Sequence, residues 1–411
     1  MVHFTYRGVN EAFQNLVGVF RYGQDQLAGT NPEGRYCYPP NAHGIQFTKS
    51  ASRVGDVLVI QEPMTITYTH PRERVLFNEA RDANPLFHMF ESLWMLAGRN
   101  DIAPLQTYSS KIADFCSDDG LTANGSYGRR WRSANPQSRL VETGIGMLPD
   151  LQYTDQLKII IDQLKRKPES RRAVLQMWNV EDDLLKIDNS RDVCCNLSVL
   201  FAIRKVCDQL PDFHDKSDGY YTSYLDMTVT NRSNDLILGM LGANVVHFSF
   251  LQEYLAYAIG VEVGVYNQFS NNLHVYTEAN GGFHPDKWLK GTQHPSEQAE
   301  GEQFTGYARS IEDQTVNGGV LTGCLLTHPN IEVLDEEIRQ FIDDPYKDWS
   351  TSFLRAVARP MCEAFKHHKA RQYDLAREAC KRIRAEDWQL ACTTWIAKRE
   401  RMYLAKAKET E

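Results

Sequence analysis

None of the nine cysteines, at positions 37, 116, 194, 195, 207, 324, 362, 380 and 392, is spaced from another as CxxC. That absence excludes the usual zinc and redox pairs. No disulfide framework or metal is indicated, and about eight of the thiols read as buried and reduced. Positive charge is also short, since 45 Lys and Arg face 53 Asp and Glu for a formal net charge of −8. This balance excludes general binding to nucleic acid or an anionic membrane, and leaves only a local basic patch aimed at a small anion. Met1 to Asn10 holds no basic segment leading into an apolar run. No stretch approaches the roughly twenty apolar residues that a membrane span needs, so the protein is expected in the cytoplasm with no membrane partner. Internal repeats are missing, and low complexity is confined to the tail from Ala405 to Glu411. What remains is an ordinary globular composition, 42% hydrophobic and 24% charged over 411 residues, enough for one large domain or two ordinary ones.

Turn formers (Gly29-Thr30-Asn31-Pro32 and Tyr38-Pro39-Pro40-Asn41) separate short apolar pieces in residues 1–50, which read as an irregular lead-in. Val54 to Tyr68 reads as strand. From Asn84 to Gly98, Pro at the first helical position, apolar spacing and a terminal Gly predict a helix. That helix is apolar nearly all round, so Glu91 is expected to be buried or to line a cavity. Tyr153 to Lys165 reads as an amphipathic helix. Runs at Arg172 to Trp178, Leu197 to Val206 and Tyr224 to Thr230 predict strands of one sheet. Asn244 to Ile259 predicts a long apolar helix, Val263 to Tyr276 strand, turn and strand, and Pro285 to Gly319 a polar loop. Residues 345–411 are helical in pattern, with Trp349, Phe353, Trp388 and Trp395 as anchors. They read as a helical C-terminal extension to a unit of residues 51–344.

The run Asp192-Val193-Cys194-Cys195-Asn196 comes about thirty residues before Asn231-Arg232-Ser233-Asn234-Asp235. A thiol close to an Arg-Ser-x-Asp cluster suggests a nucleophile beside an anion site, because a guanidinium lowers a thiol's pKa and raises its reactive fraction. Taken alone, the pair reads equally as two core cysteines. Arg171-Arg172, read alone, is a solvated basic turn, and His274-Val275-Tyr276 surface decoration.

Together with their flanking blocks these segments resemble the thymidylate synthases and their relatives, the pyrimidine-nucleotide hydroxymethylases. The matching blocks are Ser52-Arg53-x-Gly55, Glu91-Ser92-Leu93-Trp94, Tyr127-Gly128-Arg129-Arg130-Trp131-Arg132, Arg171-Arg172 through Trp178-Asn179, Cys195 through Phe201, Asn231 through Gly239, Asn244, and His274-Val275-Tyr276, in order across roughly residues 50–280. The resemblance implies an α+β fold with a mixed sheet packed by long helices, and a homodimer formed sheet to sheet. It implies dUMP as substrate and 5,10-methylenetetrahydrofolate as co-substrate.

In such a site Cys195 adds to carbon 6 of the uracil and makes carbon 5 nucleophilic. Arg53, Arg171, Arg172 and Arg232, with Ser233, clamp the phosphate; Arg171 and Arg172 reach into the neighbouring subunit. Asn244 reads the base through O4 and N3–H. His274 and Tyr276, two apart on a strand, share a face toward the 3′-hydroxyl. Asp235 holds the pterin, while Glu91 and Tyr127 serve a water network for proton transfer.

Departures from the synthase pattern point to a different product. Asn196 stands where synthases have histidine, and Gln106 to Leu121 has no tryptophan. The end, Lys398 to Glu411, is charged helix rather than a short apolar closing segment, and one extra residue lies between Gly239 and Asn244. Water rather than hydride is then expected to capture the methylene intermediate, giving 5-hydroxymethyl-dUMP and tetrahydrofolate. The alternative is dTMP and dihydrofolate. In this family hydroxymethylation belongs to bacteriophages that replace thymine in their DNA.

Overall fold

Val2, Phe4 and Tyr6 alternate along β1 (Val2–Tyr6), and Phe4 and Tyr6 are buried where the strand lies parallel against β4 (Met64–Tyr68). Behind it, α1 (Val9–Leu27) buries Val9, Ala12, Phe13, Leu16, Val17 and Phe20, the i, i+3, i+4, i+7 spacing of one helix face. The expected irregular lead-in is therefore wrong over residues 2–27, whose apolar periodicity builds core. The computed structural model describes residues 1–29, 42, 44–115, 119–143, 146–188, 190, 192–207, 221–290 and 326–409. The turn formers at 30–32 and 38–41 lie outside these residues, as does the expected loop beyond residue 290.

Two sheets organise the centre. The larger has six strands in the order β1-β4-β11-β9-β8-β7, with β7 (Val174–Gln176) at one edge, then β8 (Asn196–Cys207), β9 (Tyr221–Asn231) and β11 (Glu262–Ser270). Two pairs are parallel (β1 with β4, β9 with β11) and three antiparallel (β4 with β11, β8 with β9, β7 with β8), so the sheet is mixed. The smaller sheet runs β10-β12-β3-β2, comprising β2 (Phe47–Ala51), β3 (Asp56–Ile60), β10 (Asn234–Asp235) and β12 (Leu273–Tyr276). The single strand expected over 54–68 is thus two, β3 and β4, which belong to different sheets. A hairpin, β5 (Ala134–Thr143) with β6 (Gly146–Thr154), stands apart from both.

Long helices cover one face of the large sheet. Asn84 caps α2 (Pro85–Leu96), its side chain accepting from Phe87 N at 3.2 Å, and Pro85 sits at the first turn where its missing N–H costs nothing. Ten of the twelve residues of α2 are buried, Glu91 among them, as its all-round apolarity requires. Asn244–Ile259 forms α6, which contacts both α2 and the sheet and ends at Gly260 with φ +90°. Between them come the short α3 (Ala103–Gln106), α4 (Tyr127–Arg132) and α5 (Gln156–Arg166). Leu236–Ile259 is long and apolar enough to cross a membrane, contrary to the sequence reading, but lies mostly buried in the core.

After α7 (Pro285–Lys290), residues 331–409 are helical: α8 (Ile331–Asp343), a π-helical turn Leu354–Ala358, α9 (Arg359–Lys369), α10 (Tyr373–Lys381) and α11 (Glu386–Glu409). They do not stand apart as an extension. Phe353 and Trp388 pack on Phe250 of α6, Phe365 packs on Tyr108 at 4.8 Å, and Trp349 and Trp395 are buried in the same cluster as Phe4 and Phe13. Burying each such aromatic or aliphatic side chain contributes about 1.5–3 kcal/mol, which ties these helices to the core around α2 and α6.

Candidate active site

Cys195 is not in the strand but immediately before it, at the entry to β8. The backbone there is held from two sides. Asp183 Oδ1 accepts from Cys194 N at 3.1 Å, and Arg232 donates through Nε to the Cys194 carbonyl at 2.9 Å and through Nη2 to the Val193 carbonyl at 3.1 Å. The two thiols consequently face different surroundings. Cys194 is 1% exposed, bonds the Asn196 carbonyl at 3.0 Å, and burial pushes it up to about 12. Cys195 is partly accessible, with Arg232 Nη2 at 3.7 Å from its sulfur. The sequence expectation that arginine leaves this thiol with a lowered pKa fails in balance. Burial raises it, and Arg232 offsets only part of that shift.

Asp183 is itself fully buried in a two-pronged pair with Arg130, Nη1 to Oδ2 and Nη2 to Oδ1 at 3.0 Å. Arg130 also donates to the carbonyls of Met177 (2.6 Å) and Asn124 (2.9 Å), while Asp192 accepts from Gly125 N at 2.8 Å. This clamp fixes the nucleophile loop on α4 and on the turn before it. Sequence reasoning missed Arg130 and Asp183; the two adjacent arginines between the aromatics Tyr127 and Trp131 were the available signal.

Tyr127 opens α4 with its ring stacked 5.8 Å from Phe248 of α6. Its phenol is raised far above the ordinary range by burial, reinforced by Cys194, Cys195, Asp192 and Glu91, so these groups share one neighbourhood. Glu91 is 8% exposed, and its Oε2 stands 2.8 Å from Nε2 of His247, a residue the sequence reading passed over. Asn196 is fully buried and donates through Nδ2 to Asn231 Oδ1, leaving its own Oδ1 without a hydrogen-bond partner among the described residues.

The small sheet supplies the opposite wall. Its register sets Asp235 directly beside His274. His274 and Tyr276 meet edge to face at 5.3 Å, with Asn272 Oδ1 3.1 Å from His274 Nδ1. Burial lowers the His274 pKa and raises that of Asp235. The Tyr276 phenol is raised by burial, by Asp235 and by Cys195, while Ser52 and Arg53 from the β2–β3 turn pull the other way. Asp235, Leu238 and Tyr276 line a cavity of about 180 Å³ with Arg81, Phe283 and Trp288.

Between Asp235 and Asn244 the chain makes a π-helical turn, Leu236–Ala243. A π turn is how a helix absorbs one inserted residue, so the extra residue after Gly239 leaves Asn244 at the start of α6. A Cβ at Gly239 would collide with Asn234 Oδ1, the atom that accepts from Asn244 Nδ2 at 3.1 Å. Ser233 follows Arg232 in the same turn, partly buried. Arg171 and Arg172 are not brought in. They sit exposed ahead of edge strand β7, with no side-chain hydrogen bond or ion pair among the described residues.

A half-buried thiol beside a guanidinium, a buried phenol and carboxylate near it, and an Asp-His-Tyr wall whose Tyr276 senses the thiol and whose Asp235 and Tyr276 line the adjoining cavity make an enzyme site built for nucleophilic catalysis on a small polar molecule. A sequence model of thymidylate synthase matches residues 81–300. The deoxyuridylate hydroxymethyltransferase of Pseudomonas phage M6 is 36% identical over 368 residues, 86% of this chain and 89% of that protein. That of Bacillus phage SP01 is 35% identical over 247 residues, 58% of this chain and 57% of its own. The thymidylate synthase of Corynebacterium aurimucosum is 28% identical over 188 residues, covering 46% and 58% of the two chains. The chain belongs to the thymidylate synthase family, and it is a one-carbon transferase.

Proposed function

We propose that the protein is a deoxyuridylate hydroxymethyltransferase, which converts dUMP, 5,10-methylenetetrahydrofolate and water to 5-hydroxymethyl-dUMP and tetrahydrofolate in the cytoplasm of a phage-infected host. The observation that carries the chemistry is the half-buried Cys195, its sulfur 3.7 Å from Arg232 Nη2, beside the Tyr127–Glu91 pair. Cys195 adds to carbon 6; Arg53, Arg232 and Ser233 take the phosphate; Asn244 reads the base; His274 and Tyr276 hold the sugar; Asp235 faces the pterin. Bound there, the folate supplies the one-carbon unit, and no residue need change its oxidation state. Asn196 in place of histidine, and the absence of tryptophan from Gln106 to Leu121, favour water over hydride.

Arg171 and Arg172 complete a partner's phosphate site in a homodimer. The large sheet's uncovered face supports this reading. Val174 and Leu200 are each 42% exposed, and Val265 and Phe269 are only half-buried along β11.

The alternative is thymidylate synthase proper, and product analysis separates the two. Mass spectrometry should find 5-hydroxymethyl-dUMP with no dihydrofolate absorbance; dTMP with dihydrofolate as main products would move the assignment. A second expectation concerns the base. Asn244→Asp should weaken dUMP turnover roughly ten- to a hundredfold, the 1–3 kcal/mol of an unmatched buried hydrogen bond. The carboxylate also faces Asn234 Oδ1, so the Asn234 amide must turn over to donate. Competition between dUMP and dCMP should shift toward dCMP, and an unchanged preference would assign base reading elsewhere.

A further inference from the structure

Resting on the hydroxymethylation reading above, we propose that His247 is a positioning residue that acts through Glu91, receiving the proton of the water that captures the C5 methylene. The resemblance assigns it nothing. His247 lies one turn beyond Asn244 on α6 and so shares the face of the base-reading residue. It is 2% exposed, yet neither ring nitrogen has a hydrogen-bond partner among the described residues. A core histidine kept for packing has its nitrogens satisfied, because each unpaired buried polar group costs about 1–3 kcal/mol.

Glu91 Oε2, at 2.8 Å from Nε2, is close enough to exchange a proton but misaligned for a hydrogen bond, and it too has no other partner. Two facing, unsatisfied, proton-exchanging groups next to the Tyr127 phenol are the arrangement expected where a small polar reactant completes the network. The family histidine is missing at Asn196, and His247 brings an imidazole to Glu91 from another helix. His88, one turn before Glu91 on α2, is pushed down to about 3 by burial, by His247 and by Arg81, and carries no charge at neutral pH. His247 thus faces Glu91 and neutral His88, both from α2; Tyr127 from α4 neighbours Glu91, and Arg81 neighbours His88.

The step balances without an oxidant. The water oxygen bonds to the exocyclic carbon, the C5=CH2 electron pair moves to O4 as an enolate, and the water proton passes to Glu91 and on to His247. The enolate then re-forms the C4 carbonyl and the C5=C6 bond, expelling the Cys195 thiolate from carbon 6. The C5 proton and the water proton together equal the two that the departing tetrahydrofolate takes up at its nitrogens.

The test is the ratio of tritium released from [5-³H]dUMP to 5-hydroxymethyl-dUMP formed. Wild type should give one tritium per product. His247→Gln keeps a polar group beside Glu91 but accepts no proton, so product formation should fall roughly 10²-fold while tritium release falls far less, because uncaptured methylene re-adds tetrahydrofolate and returns through C5 protonation to unlabelled dUMP, taking the ratio above about ten. A merely structural role lowers both together, and a ratio that stays at one overturns the proposal. Because the ratio does not depend on the fraction folded, His247→Asn serves equally where the glutamine variant is unstable. If wild type itself makes dTMP, the hydroxymethylation reading fails on that measurement, before any variant is compared.

Discussion

Cys195→Ser is expected to lower turnover by at least about 10⁴-fold, the order found when a covalent nucleophile is removed from a site that otherwise stays intact. The hydroxyl that replaces the thiol has a much higher pKa, and the Arg232 guanidinium at 3.7 Å cannot make up that difference. Binding of dUMP should survive, since the phosphate and base contacts do not use the sulfur, and titration calorimetry reads it separately from turnover. Cys194→Ser should stay within about tenfold of wild type, because that thiol is buried and bonded to the Asn196 carbonyl. The opposite pattern would make Cys194 the nucleophile.

Asp183→Ala should destabilise the fold by about 3–5 kcal/mol, the cost of leaving one half of a buried ion pair. Arg130 would keep its charge at 7% exposure with two carbonyls as its only hydrogen-bond partners among the described residues, and the N–H groups of Cys194 and Asn179 would lose their acceptor. Activity should fall further than stability explains, since the nucleophile loop loses the bond that sets Cys194 and hence the direction of the Cys195 side chain. Denaturant unfolding followed beside kcat at a temperature where the variant is folded separates the two effects. Replacing Arg130 and Asp183 together by apolar residues should restore part of the stability and none of the loop's order. A loss below about 1 kcal/mol for the single variant would mean that water reaches the pair.

Much of the fold could be read from local pattern. Asn84-Pro85, the apolar run after it and the terminal Gly98 marked α2 almost to the residue, and Asn244–Ile259 was read without error. In both, capping and continuous apolarity point the same way. Residues 9–27 carried an equally good helical face, but the turn formers that follow them drew the reading toward loop. Tertiary context decided the rest. No local signal shows that β3 and β4, adjacent in the chain, enter different sheets, or that Trp388 seats against Phe250 138 residues earlier. For the site, motif blocks gave the residue types and their roles. Geometry added the burial that outweighs Arg232 at the thiol, the Arg130–Asp183 clamp, and His247 opposite Glu91.

The far end of the chain bears on the cavity in a way that composition alone concealed. Lys398 donates to the Glu79 carbonyl at 2.7 Å, Lys398 and Arg399 pair with Asp82, and Arg401 pairs with Glu79. Ala80, Arg81 and Asp82 form one rim of the cavity; Trp288 on the other rim packs against Phe13 of α1. The first and last helices thus buttress opposite lips of one recess. As the polypeptide leaves the ribosome, the nucleophile and its arginine are made long before the recess has both supports. Competence to hold a ligand there arrives with α11, so a chain stalled before it carries the reactive thiol while only one lip of the recess is supported.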